Sequence, residues 1–497
     1  MVETLTFAQC LAKVMRKHQL SLGNLATRIG SRADLKHVLA DDATHAKRCR
    51  LFEKLKNSHL FDEADYEQLA HSLEISRMGV EQFRFEQAID AILSGRTPEI
   101  QHELVTDSGL PLKERLALLD QAEKIEILCF NCCFHSLFAV LSPLFAKPEC
   151  DLSMKHYIQS DSSINAAAEY VSVVMPVLFD RRYASFYRPQ FLELKIPSIG
   201  GNLLLIRAII GNAISEFVFV LSSDTLAYEL PNASSCYLFS FISKVLQGVP
   251  IQPIAIKESS PYKLDFSSLC MTFLSHELNR ATYYIGCDLC FQQTPTDIAV
   301  AAFRDKGLPS ETEAAQIISR TLSIHEQRYQ NQYNKRKPTY RIMTKAGCER
   351  FLKTGEATDH FAGFRPFTLE ERKVIFANML HAARENQYFI PLLLIDDSFT
   401  HSYNLVCYEK LGISIDAKNT DYDISKGYRS VFLMLPEFTK QYLTYYLDIL
   451  VAEKCYSRKQ SLEMLESMYE QFLSANHLQN QSKEAPESLN RFPSSRQ

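Results

Sequence analysis

Apolar residues in the first hundred positions recur at the spacing of one helix face, and the breaks between runs carry capping residues. Leu11, Val14 and Met15 define a first helix. Ser21 is the N-cap of a second, which carries Leu22, Leu25 and Ile29 and stops at Gly30, and Ser31 caps a third that reaches Leu39. A fourth helix is predicted over 44–56, and Asp62 opens a fifth with Tyr66, Leu69 and Leu73 facing inward. A sixth covers 80–93 and ends at Ser94, Gly95 and Pro98.

From residue 111 onward helical runs alternate with short apolar strands, the order of an α/β fold. Helices are predicted over 113–123, 136–145 and 165–178, and strands over 125–130 and 152–158. Two apolar runs, 203–210 and 216–221, flank Gly211 and Asn212 as in a hairpin, so the sheet should be mixed; a helix over 235–246 follows. Pro250, Pro253 and Pro261 mark a boundary near 260. Beyond it, strands over 270–274, 389–396, 403–408 and 430–435 and helices over 310–323, 369–385, 438–451 and 460–474 predict a second α/β unit. No repeat of fixed period is visible. The tail after Asn476, rich in Gln, Ser, Asn, Lys and Pro, is expected to be disordered.

A chain of 497 residues is too long for one ordinary core. The expected organisation is multidomain: an all-α domain over 1–95, an α/β domain with a mixed sheet over 100–260, a second α/β domain over 261–475, and a tail over 476–497. A hydrophobic share of 46% and a charged share of 23% exclude disorder on a large scale. No apolar run is long enough for a membrane span, and Glu3, Lys13, Arg16 and Lys17 interrupt the first twenty residues, so no signal peptide is expected and the chain is placed in the cytoplasm. Thirteen scattered Cys then predict reduced thiols and no disulfide framework.

The net charge of −4 is unevenly spread. From Lys13 to Lys56 eleven Lys and Arg stand against Asp34, Asp41, Asp42 and Glu53, a surplus of seven positive charges, and the sign reverses from Asp62 onward. Within that basic stretch, Leu25 and Ala26, the turn at Gly30 and the amphipathic run behind it follow helix-turn-helix logic. A small Ala lets two helices pack closely, the Gly permits a sharp turn, and the second helix offers its exposed face to a major groove.

On these residues the first 75 positions resemble the lambda-repressor-like (Xre-type) helix-turn-helix family of bacterial transcriptional regulators. The resemblance implies that Ser31, Arg32, Lys36 and His37, with Asp34 among them, lie on or beside a recognition helix, and that Arg28, Lys47, Arg48 and Arg50 serve the phosphate backbone. It implies double-stranded DNA as partner and, on two-fold operators, a homodimer. The sequence departs from the family in the spacing after Gly30 and in the negative charge of Asp34, Asp41 and Asp42 near the groove.

Two cysteine groups in the body bear on chemistry: Cys129, Cys132 and Cys133 with His135, and the pair Cys287 and Cys290 at zinc-site spacing. The phenylalanines crowding them favour buried free thiols over a metal, and the nearness of His135 in sequence supplies neither a positioned base nor an oxyanion hole. Signatures of phosphate-binding loops, dinucleotide folds, serine hydrolases and zinc proteases are missing, so neither catalytic residues nor a cofactor are expected. The stretch 354–372 places Asp359, His360 and Arg365 among aromatic residues ahead of a helix that Thr368 can cap. It reads either as a ligand pocket or as an ordered loop with Arg365 paired to Glu370 or Glu371. The chain is therefore read as a DNA-binding regulator whose body senses a small-molecule or peptide effector or self-associates. The alternatives are a protein-interaction scaffold and an enzyme using the 354–372 region.

Overall fold

The computed structural model describes the chain apart from residues 1–4, 31, 42, 79, 96–101, 148, 159–163, 188–201, 248–251, 258–279, 287–288, 290–292, most of 305–335, 357–364, 397–401, 418–429 and 484–497. The chain divides into two compact units, residues 1–178 with 182–252, and residues 179–181 with 253–497. The predicted strand at 270–274, most of the predicted helix at 310–323 and the pair Cys287 and Cys290 lie outside the described residues.

The first unit opens with helices α1 (Phe7–Lys17), α2 (Leu22–Ile29), α3 (Arg32–Leu39), α4 (His45–Asn57), α5 (Glu63–Met78) and α6 (Val80–Ser94). Their order follows the apolar periodicity, and side chains close their ends. Thr6 and Gln9 form a capping box on α1, the Ser21 hydroxyl accepts from the Asn24 amide, and Asp62 accepts from the Asp65 amide. Phe7, Leu11, Val14, Leu25, Leu35, Val38, Leu51, Leu55 and Leu69 meet in one buried core. α1 packs on α3 and α5, α3 on α2 and α4, and α6 on α9.

Behind the helices stands a seven-stranded mixed sheet in the order β1-β7-β6-β5-β2-β3-β4. Its strands are β1 (Val105–Thr106), β2 (Lys124–Phe130), β3 (Asp151–Ile158), β4 (Tyr183–Tyr187), β5 (Leu203–Ile210), β6 (Ala213–Leu221) and β7 (Leu226–Glu229). α7 (Leu112–Arg115), α8 (His135–Phe145), α9 (Ile164–Leu178) and α10 (Asn232–Gln247) connect or flank them. β5 and β6 form the expected hairpin across Gly211 and Asn212. The helix expected over 113–123 is instead α7 followed by a 3-10 segment, Ala117–Gln121; the tighter three-residue turn brings Leu119 to the same side as Leu116, and both are buried.

The second unit holds another seven-stranded mixed sheet: β8 (Ala255–Lys257), β9 (Thr282–Ile285), β10 (Thr339–Met343), β11 (Phe389–Leu393), β12 (Tyr403–Tyr408), β13 (Gly412–Ala417) and β14 (Ser430–Leu433). Its helices are α11 (Thr296–Arg304), α12 (Lys345–Thr354), α13 (Leu369–Glu385), α14 (Pro436–Tyr445) and α15 (Arg458–Lys483). Read from the β8 edge, its order is β8-β14-β13-β12-β9-β10-β11.

The two sheets repeat one topology. In each, three parallel strands, β2-β3-β4 and β9-β10-β11, are followed on the other side of the first by an antiparallel meander, β5-β6-β7 and β12-β13-β14. Only the outer strand differs, parallel for β1 and antiparallel for β8. The repeat that the sequence does not display is thus present as strand order and direction.

Two expectations for the C-terminal region are corrected. The helix expected over 438–451 is α14 running into a π-helix, Tyr446–Lys454, whose wider turn sets Tyr446 in the core with its hydroxyl donating to the Tyr284 carbonyl at 2.7 Å. α15 continues to Lys483, past the expected start of disorder at Asn476; residues 477–483 contain neither Gly nor Pro to stop it.

Candidate functional site

α2 and α3 pack against each other through a turn at Gly30, whose φ of +65° is the left-handed conformation that favours glycine. Leu25 and Ala26 on α2 and Leu35 and Val38 on α3 are buried. The opposite faces carry Arg28, Arg32, Lys36 and His37, all exposed. On α4, Arg50 is exposed and Lys47 half-buried. Ser31 lies outside the described residues.

Part of the local charge is spent inside the helical bundle. Arg48, with its side chain 11% exposed, pairs with Asp41 at 2.7 Å and donates to the Asp41 and Ser76 carbonyls. It ties α4 to the preceding turn and to α5. Asp34 on α3 lies 3.6 Å from Lys54, so the negative charge beside the expected recognition face is partly neutralised by the protein itself. Lys17 bridges Asp62 and Asp65, each at 2.9 Å, and His18 lies 2.6 Å from Asp65. His18, Asp62 and Asp65 have the atoms of a cation site, but the Lys17 ammonium already serves both carboxylates. Of the basic residues assigned to DNA, Arg28, Arg32, Lys36 and Arg50 are exposed and Lys47 is half-buried; Lys13, Arg16, Lys54 and Lys56 are exposed as well.

In the body, Asp359 and His360 lie outside the described residues. Arg365 forms a bidentate pair with Glu371 at 2.7 and 2.8 Å, and Glu371 closes a capping box with Thr368 at the start of α13. Arg365 is thus committed to a structural role of the kind the ordered-loop reading describes. The Arg365 hydrogen bonds hold the Glu371 carboxyl down to about 2, from its usual 4.5. Because the folded value is the lower one, this stabilisation is complete above pH 4.5 and is lost as the pH falls from there towards 2. Glu371→Ala should cost about 2 kcal/mol at pH 7 in denaturant unfolding, and the gap to the parent should close over that acidic window.

The cysteine cluster is assembled differently from the sequence reading. Burial pushes the His135 imidazole down to about 4, which leaves it neutral. The partner of the thiols is His156, on β3 and directly across the sheet from Cys129 on β2. Cys129, Cys132 and His156 are buried, and Cys133 is half-buried. His156 Nδ1 lies 3.1 Å from the Tyr183 hydroxyl, which lies 3.1 Å from that of Tyr170. His156 Nε2 is buried with no hydrogen-bond partner at all, and the groups that act on the charge of the ring are the thiols of Cys129 and Cys133. Burial raises the Cys129 thiol, but the hydrogen bond from Cys132 and the facing imidazolium outweigh it and hold Cys129 below the usual thiol range. Burial likewise opposes the charge on His156, and the thiols overcome it and hold the imidazole protonated. None of the ten described cysteines is in a disulfide.

No protein-family model matches the sequence, and no curated protein matches it. Among solved structures the chain is similar to a polyphosphate kinase from Porphyromonas gingivalis, at 9% identity over 72% of this chain and 53% of that one, with a TM-score of 0.23. It is also similar to a phosphatidylserine synthase from Haemophilus influenzae, at 9% identity over 74% of this chain and 91% of that one, with a TM-score of 0.22. The chain spans about half the length of the polyphosphate kinase. Likenesses at this level bear on neither activity nor partners. Among the described residues no helix is long and apolar enough to cross a membrane.

Proposed function

We propose that the N-terminal helices bind double-stranded DNA and that the chain is a transcription regulator of the lambda-repressor-like kind, with α3 as the recognition helix. The observation that carries this reading is the pair α2 and α3. The two are joined through a left-handed Gly30, packed through Leu25, Ala26, Leu35 and Val38, and bear Arg28, Arg32 and Lys36 on their exposed faces. Cations clustered on one surface release counterions from the phosphate backbone, and they do so whatever the net charge of the chain. Arg32 and Lys36 reach base edges or phosphates, and Arg28, Lys47 and Arg50 hold the backbone. Arg48, folded into the bundle, stiffens the platform instead.

The two units of the body serve sensing of a small-molecule or peptide effector, or self-association. A homodimer would match a two-fold operator. The test is binding of the full-length chain to duplex DNA as salt is raised: affinity that falls steeply supports the reading, and no binding at low salt overturns it.

A further inference from the structure

The first sheet contains a polar centre that DNA binding does not use. Cys129 is the penultimate residue of β2, and its neighbour across the sheet is His156. Directly after β2, Asn131 takes a left-handed φ of +53°, and this turn returns the chain so that the Cys132 thiol reaches Cys129. Cys132 Sγ lies 3.2 Å from the Phe130 carbonyl oxygen, the alternative acceptor for its single proton. The Tyr183 and Tyr170 hydroxyls hold the far side of the imidazole, and the Phe138 ring lies 5.7 Å from it. Cys133 is half-buried and reaches the same imidazole, so the centre lies one residue from the surface.

The second sheet places a comparable pair at the corresponding point. Tyr284 is the penultimate residue of β9, and its neighbour on β10 is Arg341, buried, with its guanidinium 3.4 Å from the Tyr284 ring centre. Both halves therefore bury a cationic side chain on the strand beside the central one. Among the described residues, it is the first half that faces it with thiols.

From this cluster we infer that Cys129 and Cys132 form a dithiol site oxidised by hydroperoxides, with Cys129 as the attacking sulfur, Cys132 as the resolving sulfur and His156 as the proton source. In the first step the Cys129 thiolate attacks the peroxide: an S–O bond forms, the O–O bond breaks, and the departing alkoxide or hydroxide takes the proton of the His156 imidazolium. Cys129 is then a sulfenic acid, oxidised by two electrons, and the peroxide has been reduced to an alcohol or water. In the second step the Cys132 sulfur attacks the Cys129 sulfur: an S–S bond forms, the S–O bond breaks, and hydroxide leaves with the Cys132 proton as water. Burial, and after it the neighbouring Cys129 sulfur, keeps Cys132 protonated in the reduced centre. Oxidation removes the Cys129 charge and with it that part of the opposition to ionising Cys132, so the two steps follow in order.

A metal fits this cluster less well. Among the described residues the one group of three or more such side chains whose ligand atoms lie within 4.8 Å of one another is His18, Asp62 and Asp65, and not the thiols with His156.

The experiment exposes the reduced full-length protein to hydrogen peroxide, alkylates the remaining thiols after denaturation, and maps peptides by mass spectrometry. The expected result is loss of two hydrogens from the peptide carrying Cys129 and Cys132. Cys132→Ser should stop the reaction at a Cys129 sulfenic acid trapped by dimedone, and Cys129→Ser should leave Cys132 reduced. His156→Gln removes the imidazolium that faces Cys129, leaving Cys132 alone to oppose its burial, and should slow its oxidation about tenfold or more. The inference is overturned if Cys129 in the unmutated protein stays fully alkylatable while the exposed Cys236 oxidises, or if Cys132→Ser leaves no trapped sulfenic acid at Cys129. The unmutated protein alone decides the first point, so a variant that fails to fold does not shelter the proposal.

Discussion

Gly355→Ala is expected to destabilise the second unit by roughly 3–5 kcal/mol, among the largest effects of any single substitution. Gly355 ends α12 with φ at +77°, and its amide donates to the Phe351 carbonyl at 2.8 Å. Its carbonyl in turn accepts from the Phe367 amide at 2.9 Å. A Cβ at this position would lie 2.1 Å from the Phe367 carbonyl oxygen and 2.8 Å from its nitrogen. The left-handed conformation alone costs a β-carbon about 1–2 kcal/mol. The clash adds to that because the obstacle is backbone, and Phe367 is itself anchored in the core against Phe351. Calorimetry should show the melting point falling by roughly 10 °C. An unchanged melting profile would mean that this loop is not held as described.

The second large effect is on binding. Arg32→Glu with Lys36→Glu should lower DNA affinity by on the order of a hundredfold while leaving stability within about 0.5 kcal/mol. Both side chains are exposed on α3, whose packing rests on Leu35 and Val38, so the exchange touches no core contact. It removes two cationic contacts and sets repulsion against phosphate in their place. A control matched in charge on the same bundle, Lys17→Glu with Arg48→Glu, makes the same change at residues already paired with Asp62, Asp65 and Asp41 and should weaken binding far less. Equal losses from the two pairs would deny α3 its role as recognition helix.

The six N-terminal helices were legible from apolar periodicity and from local stops such as Ser21 before α2, Gly30 after it and Asp62 before α5. The hairpin at Gly211 and Asn212 and the capping box of α13 were legible for the same local reason. What escaped depends on partners distant in sequence. β9 is four residues, Thr-Tyr-Tyr-Ile, buried throughout, with neither alternation nor a turn pair to mark it. The π-helix after Tyr445 is set by where Tyr446 must reach, and the helix-like spacing of its apolar residues reads as an ordinary α-helix.

The site was legible in part on the same terms. The outward cations of α3 follow from helical phase. That Arg48 is spent on Asp41 and Ser76 and that Asp34 is offset by Lys54 requires the third dimension. Sequence nearness pointed the cysteines to His135. The sheet register gives them His156 instead, a lone histidine in an alternating strand that no spacing rule singles out. The doubled topology is hidden in the same way, since the two sheets share strand order and direction without a periodic residue pattern.

The central claim is that the N-terminal helices bind duplex DNA, and fluorescence anisotropy of the full-length chain on random duplex and on its own promoter region, across several salt concentrations, tests it most directly. The account predicts tighter binding to the promoter and a logarithm of affinity that falls linearly with the logarithm of salt, with a slope of about −3 to −5 for the four or five cations assigned to DNA contact. Absence of binding at the lowest salt would contradict it and make the helical bundle a surface for protein partners.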